Sequence, residues 1–241
     1  MALEEAKNAL PSSRTSQGIR RNIEAKTEGK MAKVKSVSKS LDIAVRIRLL
    51  TAATELFSRK GYSATTTREI VAAAGVTKPV LYYYFRNKEG IYLELIRGAF
   101  AKFDALLDTS RSEKGSASER LLRLSDQIFS LFMENIEMAR LMYSIYYGPH
   151  QGAPFFDFDT YHLKFQDTIR QLAKEGMRQG EFHKVNADDM MWAILGAVNV
   201  AMEAQLCHPE LGMERKRLTQ ILKLILQGIS TQRARQEEKR K

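Results

Sequence analysis

A single cysteine in 241 residues removes the disulfide-stapled folds at once. Cys207 has no second cysteine to pair with, which suits a reducing compartment, and it is expected as a small buried apolar residue rather than a reactive thiol. Also missing is any uninterrupted apolar run near the ~18 residues of a membrane span, so no membrane partner is expected. The N-terminus lacks an apolar h-region and carries charges throughout, so no secretory leader is expected either. The four histidines, His150, His162, His183 and His208, fall at no ligand spacing of the HExxH kind, and no Cys pair assists them. The glycines are isolated punctuation rather than a phosphate-cradling loop, and no Gly-x-Ser-x-Gly elbow holds a nucleophile. Asp188-Asp189 reads as the acidic first turn of a helix rather than a catalytic pair. Catalysis, cofactors and metals are therefore not expected. What remains is a chain with 44% hydrophobic residues, enough for one large or two modest cores.

What the chain does have is basic charge, unevenly placed. Of the net +10, residues 1–97 supply +9, from 18 Lys/Arg against 9 Asp/Glu. The remaining 144 residues supply +1, from 20 against 19, with much of their positive charge after Gly228. A basic N-terminal part beside a neutral remainder is the footprint of a phosphate-binding segment joined to a differently employed one.

Residues 1–40 are rich in Lys, Arg, Ser, Glu and Ala without a sustained period. They are expected as a disordered basic extension, either a solvated tail or an arm along the DNA backbone or minor groove. Met31 opens MAKVKSVSKS and is a second candidate start. From Asp42 the period becomes helical, with Leu49, Leu50, Ala53, Leu56 and Phe57 spaced by three and four. Gly61 is the expected stop of that helix. Thr66 lies three residues before Glu69, a capping box opening a short helix to Ala74. Gly75 makes a sharp turn, and Thr77 is the expected cap of a helix with Pro79 in its first turn, ending near Phe85. A longer helix from Arg86 or Asn87 is expected through Leu106. Two short helices joined by a tight turn are the helix-turn-helix, which lays its second helix in the DNA major groove.

Gly61-Tyr62, Thr65-Thr66, Ile70, Ala73, Gly75-Val76, Leu81-Tyr82, Phe85, Asn87-Lys88-Glu89 and Ile91 carry a resemblance to the N-terminal domain of the TetR family of bacterial transcriptional regulators, over about residues 42–100. Further on, Glu175–Phe182 (EGMRQGEF), before the helix start at Asp188-Asp189, resembles a feature of that family's C-terminal domain. The resemblance implies DNA contact by Thr65, Thr66, Thr67, Arg68, Thr77, Lys78, Pro79, Val80, Tyr82, Tyr83, Tyr84 and Lys88. Lys78 can donate to guanine, Pro79 and Val80 can touch a thymine methyl, and Arg68 can reach a base edge. Thr65, Thr67, Tyr82, Tyr84 and Lys88 match backbone-holding positions, and Tyr83 is open to either role. Leu81 and Phe85 are core, and one of the three tyrosines packs against the first helix.

The rest of the chain reads as helices over 116–135, 138–147, 155–179, 188–207 and 213–231, so the fold class is all-α, with about nine helices. The expected organisation is 1–40 extension, 41–92 helix-turn-helix domain, 93–231 regulatory and dimerisation domain and 232–241 charged tail. Gly148–Pro154 is a loop expected to border a pocket mouth. Met and aromatic residues recur at helical spacing in this half. Most are core, but the family's ligand pocket is expected among Phe129, Met133, Met142, Tyr146, Tyr161, His162, Phe165, Trp192 and Asn199, with Gln166 as a further polar candidate. Gly196, Ala197, Ala201 and Ala204 permit close helix approach, while Leu218, Ile221, Leu222, Ile225 and Ile229 form an apolar stripe. Together they are the expected homodimer interface. The resulting expectation is a cytoplasmic, nucleoid-associated repressor that binds a palindromic operator as a dimer. A small, mainly apolar or aromatic effector releases it, through the helix from Lys88. The alternative is an architectural or division-control DNA-binding protein of the same fold, without an inducer. A ligandable cavity favours the first, a packed C-terminal core the second.

Overall fold

A computed structural model describes residues 40–148 and 152–231. Most of the expected extension, including Met31, the charged tail at 232–241, and His150 in the Gly148–Pro154 loop lie outside the described residues. The chain divides into two units, Met1–Leu49 and Leu50–Lys241. Of the first, only residues 40–49 are described, and they are helical.

The described residues form nine α-helices and no strand, as the periodicity predicts. The first, α1, occupies residues 40–64. It is followed by α2 (Thr67–Ala74), α3 (Lys78–Phe85), α4 (Lys88–Ser112), α5 (Ala117–Glu134), α6 (Ile136–Tyr146), α7 (Phe158–Arg178), α8 (Ala187–Cys207) and α9 (Arg215–Ile229). Side chains fix most of the starts by satisfying orphan N–H groups. Asn87 accepts from Gly90 N at 2.7 Å, Ser116 from Glu119 N at 3.2 Å, Asp157 from Thr160 N at 3.1 Å and Asn186 from Asp188 N at 2.8 Å. Gly61 takes the left-handed conformation, φ 79°, although helical turns continue to residue 64. Asp157 as cap delays α7 to Phe158, three residues after the expected start, and leaves Phe155–Asp157 outside the helix. At the other end, α4 runs six residues past Leu106 and spans the expected domain boundary at 92/93 without a break.

Core packing in the second half centres on α5, which meets α4, α7, α8 and α9. Leu121, Leu124, Ile128 and Phe129 of α5 pack with Ile169 and Leu172 of α7, Ile194 and Val198 of α8, and Leu218 and Leu222 of α9 in one cluster. By length and composition α8 is apolar enough to cross a bilayer. Met190, Met191, Ile194, Leu195, Val198 and Ala201 are instead buried in this core, which gives its hydrophobicity a packing role. Cys207, expected to be buried, is exposed at the C-terminal end of α8.

The Glu175–Phe182 stretch is structural. Glu175 accepts from the buried Arg120 at 2.8 Å, and Arg120 also donates to Ser110 O and Arg111 O at the end of α4. Glu181 accepts from Ala117 N at 2.8 Å and Ser118 N at 2.9 Å, covering the N-terminus of α5. Phe182 pairs with Ser230, while His183 N donates to Ile229 O at 2.8 Å and Thr231 N to Glu181 O at 2.9 Å. One turn of chain thus fastens α4, α5, α7 and α9. Gly180 supplies the positive φ of 75° that this turn needs. Gly176 is required for a different reason. A Cβ there would overlap the Phe182 ring and approach Ala117 Cβ to 2.9 Å. Gly176→Ala is expected to lower stability by ~1–3 kcal/mol through overpacking. Gly98→Ala, with nothing within 4 Å, is expected to be neutral or stabilising, since Ala is the better helix former. Paired thermal melts compare the two.

Candidate nucleic-acid interface and regulatory cavity

The head is built on buried apolar residues that leave one face of α3 open. Ile70, Val71 and Ala74 of α2 and Leu81 and Phe85 of α3 are buried. The turn between them closes on Gly75 at φ 63°, ψ 40°, where Gly75 N donates to Ala72 O and Val76 N to Val71 O. The Thr66–Glu69 capping box forms as expected. Hydrogen bonds from the Lys60 ammonium and from Thr66 hold the Glu69 carboxyl down at about 2.

With Leu81 and Phe85 turned inward, Lys78, Pro79, Tyr82 and Tyr83 are exposed, and Val80 and Tyr84 are half-buried. Tyr83 is 78% exposed and Tyr82 43%, so Tyr83 is the more accessible of the two rings. The Lys78 ammonium stands 5.7 Å from the centre of the Tyr82 ring. Arg68, Thr66 and Thr77 are also exposed, and Thr67 is half-buried. Thr77 has the extended backbone of a cap, but its side chain makes no capping hydrogen bond, contrary to expectation. Its hydroxyl is not spent on the helix start.

Two of the expected DNA contacts are instead internal. Thr65 is 1% exposed and its hydroxyl donates to Gly61 O at 2.8 Å. The Lys88 ammonium donates to Tyr62 O at 2.9 Å and Thr65 O at 3.0 Å and lies 4.1 Å from the Tyr62 ring centre. Desolvation there pushes its pKa below the ordinary lysine value. The ring of Tyr62 in turn meets buried Tyr92, centroids 5.0 Å apart, and burial raises the Tyr92 hydroxyl to about 12. Sequence position alone makes Lys88 a phosphate ligand; two carbonyls converging from the end of α1 claim it first. Arg86 was not among the expected contacts. It is exposed and holds φ 63° at the end of α3, with its N–H donating to Tyr82 O at 3.0 Å. Its i+4 step from Tyr82 and i+8 step from Lys78 were the available signal.

The expected pocket residues do not converge. Phe129 and Phe165 are packed in the core, Met142 and Asn199 are half-buried, and Gln166 is buried. Met133, His162 and Trp192 are exposed, Trp192 by 56%. Tyr161 belongs to an aromatic cluster, 4.3 Å from Phe100 and 5.8 Å from Phe156. Beside that cluster is a half-open cavity of about 300 Å³ lined by Ile145, Tyr146 and Ala153–Asp159. Tyr146 is the one expected ligand residue on its wall. The rest of the wall comes from the non-helical segment before α7, whose Phe155 is 89% exposed. The cavity thus borders the loop at which a pocket mouth was expected. Phe156 stacks on Phe100 of α4 at 5.1 Å, and Phe158 meets the same ring edge-on at 5.6 Å. Ser58 of α1 donates to Glu137 of α6 at 2.7 Å.

The expected dimer residues also split. Ala201, Leu218 and Leu222 are buried within the chain, and Gly196, Ala197, Ile221, Ile225 and Ile229 are half-buried. The apolar stripe of α9 faces its own core. The exposed large apolar side chains on α8 and α9 are Trp192, Val200 and Leu224, at 56%, 58% and 69%.

Helices α2 and α3 with their Gly75 turn define a helix-turn-helix protein. The family model for bacterial regulatory proteins of the tetR family matches residues 49–95. The HTH-type transcriptional repressor KstR2 of Mycolicibacterium smegmatis is 30% identical over 145 residues, 57% of this chain and 67% of that protein. An uncharacterised HTH-type transcriptional regulator of Bacillus subtilis, YdgC, is 33% identical over 107 residues, 43% of this chain and 55% of the relative. Among solved structures, the SmeT–triclosan complex shares the fold at TM-score 0.61 and 19% identity, over 78% of this chain and 93% of that one. The chain belongs to the TetR family of bacterial transcriptional regulators. Its matches to YdgC and two further Bacillus subtilis regulators span about half of each, 55%, 51% and 48%.

The geometry separates two lysines that look alike in sequence. Lys78→Ala is expected to weaken DNA binding by ~1–3 kcal/mol and relax base preference, with the melting temperature unchanged. Lys88→Gln is expected to lower stability by ~1–3 kcal/mol, as carbonyls lose their donor, and to leave the salt dependence of the binding that survives unchanged. Salt-titrated binding isotherms and melts on both variants check the assignment.

Proposed function

We propose that the protein is a transcriptional repressor that binds a palindromic operator as a homodimer and is released by a small effector. The observation that carries this is the open face of α3, where Lys78, Pro79, Tyr82 and Tyr83 are exposed while Leu81 and Phe85 anchor the helix from behind. Such a face presents a donor, apolar contact groups and hydroxyls to base edges and phosphates together. Thr66, Thr67, Arg68, Thr77, Val80, Tyr84 and Arg86 flank it as further contacts.

A dimer suits this reading because two recognition helices then enter successive major grooves about 34 Å apart. Trp192, Val200 and Leu224 are the proposed contact residues, with Gly196, Ala197 and Ile221 beside them. Nothing stands within 4 Å of the Cβ positions at Gly196 and Gly228, which leaves room for close helix approach. Leu224→Glu is expected to convert a dimer to a monomer in sedimentation and to weaken operator binding. A wild-type monomer at micromolar concentration would remove the dimer from the proposal.

The cavity beside α6 supports an effector-responsive regulator over an inducer-free architectural protein, and the ligand-bound SmeT relative favours it further. Phe156 and Phe158 on its wall stack on Phe100 of α4, and α4 begins at the Lys88 clamp of the head. An effector with a ~100-fold preference for one head spacing supplies ~2.7 kcal/mol of coupling. The direct experiment incubates the purified protein with sheared DNA of its own genome at physiological salt and sequences what is retained. A few sites sharing an inverted repeat are expected. Diffuse binding that vanishes as salt rises would favour the architectural alternative.

A further inference from the structure

We infer that Arg86 makes the DNA-phosphate contact that sequence position assigns to Lys88, and that its backbone is held strained to present it. The inference rests on the reading of α3 as the recognition helix. Lys88 is committed to Tyr62 O and Thr65 O, so a phosphate at the passage from α3 to α4 requires another cation. Arg86 stands two residues earlier and is exposed. Among the described residues its guanidinium has neither a hydrogen bond nor an ion pair.

The backbone marks this position. Arg86 is the one non-glycine with positive φ among the described residues, at φ 63° and ψ −43°. With Asn87 N donating to Phe85 O at 2.7 Å, these angles make Arg86 the centre of a γ-turn of the rare, strained hand. Glycine would take them at no steric cost. The surroundings hold the turn in place from both sides. Arg86 N donates to Tyr82 O at 3.0 Å, and Asn87 Oδ1 accepts from Gly90 N at 2.7 Å. A Cβ at Gly90 would lie 1.9 Å from Phe85 O, so Gly90 is the notch that lets this carbonyl press against the first turn of α4. Strain fixed by its neighbours points to a use other than stability. What arginine adds over glycine here is an unengaged guanidinium, on the helix that also exposes Lys78, Tyr82 and Tyr83. Its planar fork matches two phosphate oxygens, a contact that orients the protein without reading sequence.

The test uses the full-length protein and two duplexes, the inverted repeat retained from genomic DNA and a scrambled duplex of the same composition. Arg86→Gln keeps the strained turn and removes the charge. It is expected to weaken both duplexes alike, by at least about tenfold at physiological salt. The slope of log K against log salt is expected to fall by about one per bound chain, and Arg86→Lys is expected to restore it. Arg86→Gly is expected to lose the same slope yet melt about 2–4 °C higher, as relief of strain outweighs the added freedom of the unfolded chain. An unchanged slope in Arg86→Gln overturns the inference, since a role confined to the α3 dipole would move only its melting temperature. Loss on the repeat alone makes Arg86 a base reader and overturns it too, as does Arg86→Gly melting no higher than wild type. Wild-type protein that binds both duplexes equally defeats the repressor reading, while the slopes still decide the role of Arg86. Binding to neither duplex defeats both.

Discussion

Helix α4 is the element on which the rest depends, because a cation-to-carbonyl bond fastens each of its ends, Lys88 to carbonyls preceding α2 and Arg120 of α5 to carbonyls of its last turn. At its start, Lys88 reaches back to Tyr62 O and Thr65 O and closes the helix-turn-helix onto α4. Its last turn is capped by Arg120, which donates to Ser110 O and Arg111 O while paired with Glu175. Charge-assisted bonds to carbonyls at a helix end also complement its dipole. Between these clamps the same helix buries Ile91, Tyr92 and Ile96 toward the head and Phe100 and Leu107 toward the body.

That arrangement explains why the aromatic cluster sits where it does. Phe100 is at the middle of α4, and Phe156, Phe158 and Tyr161 stack around it. Two side chains of the cavity wall, Phe156 and Phe158, therefore touch the linking helix. A second connection, Ser58 to Glu137, joins α1 to α6, the helix whose last residues form the opposite wall.

Charge divides labour within the chain. Basic side chains on the head are exposed where α3 faces outward, but the one with two carbonyls in reach is internal. Acidic side chains of the body are largely spent on helix starts, Asp157 among them, and on ion pairs with Arg120, Arg123, Lys164, Arg170 and Arg215. Identity of side chain does not distinguish these fates; the number of partners already in reach does.

Much of the fold was legible because it rests on local rules. The capping box at Thr66, the helix start at Asn87, the Gly75 turn, and apolar spacing along each helix are decided within a few residues of chain. The outward face of Tyr83 follows directly from fixing Leu81 and Phe85 inward, whereas Lys78, three and seven residues before them, is exposed by its place in the first turn of α3. What the sequence could not determine was which neighbour an apolar face would meet. Periodicity marks Leu218, Leu222 and Ala201 as a stripe, but only packing reveals that the stripe lies against α5 rather than a second chain. The same holds for Phe129 and Phe165, which are core because α7 and α8 cover them, and for Lys88, whose partners are 23 and 26 residues away. The cavity, too, is a tertiary product. Its walls are a helix end and a loop brought together by α4, and no local pattern encodes that meeting.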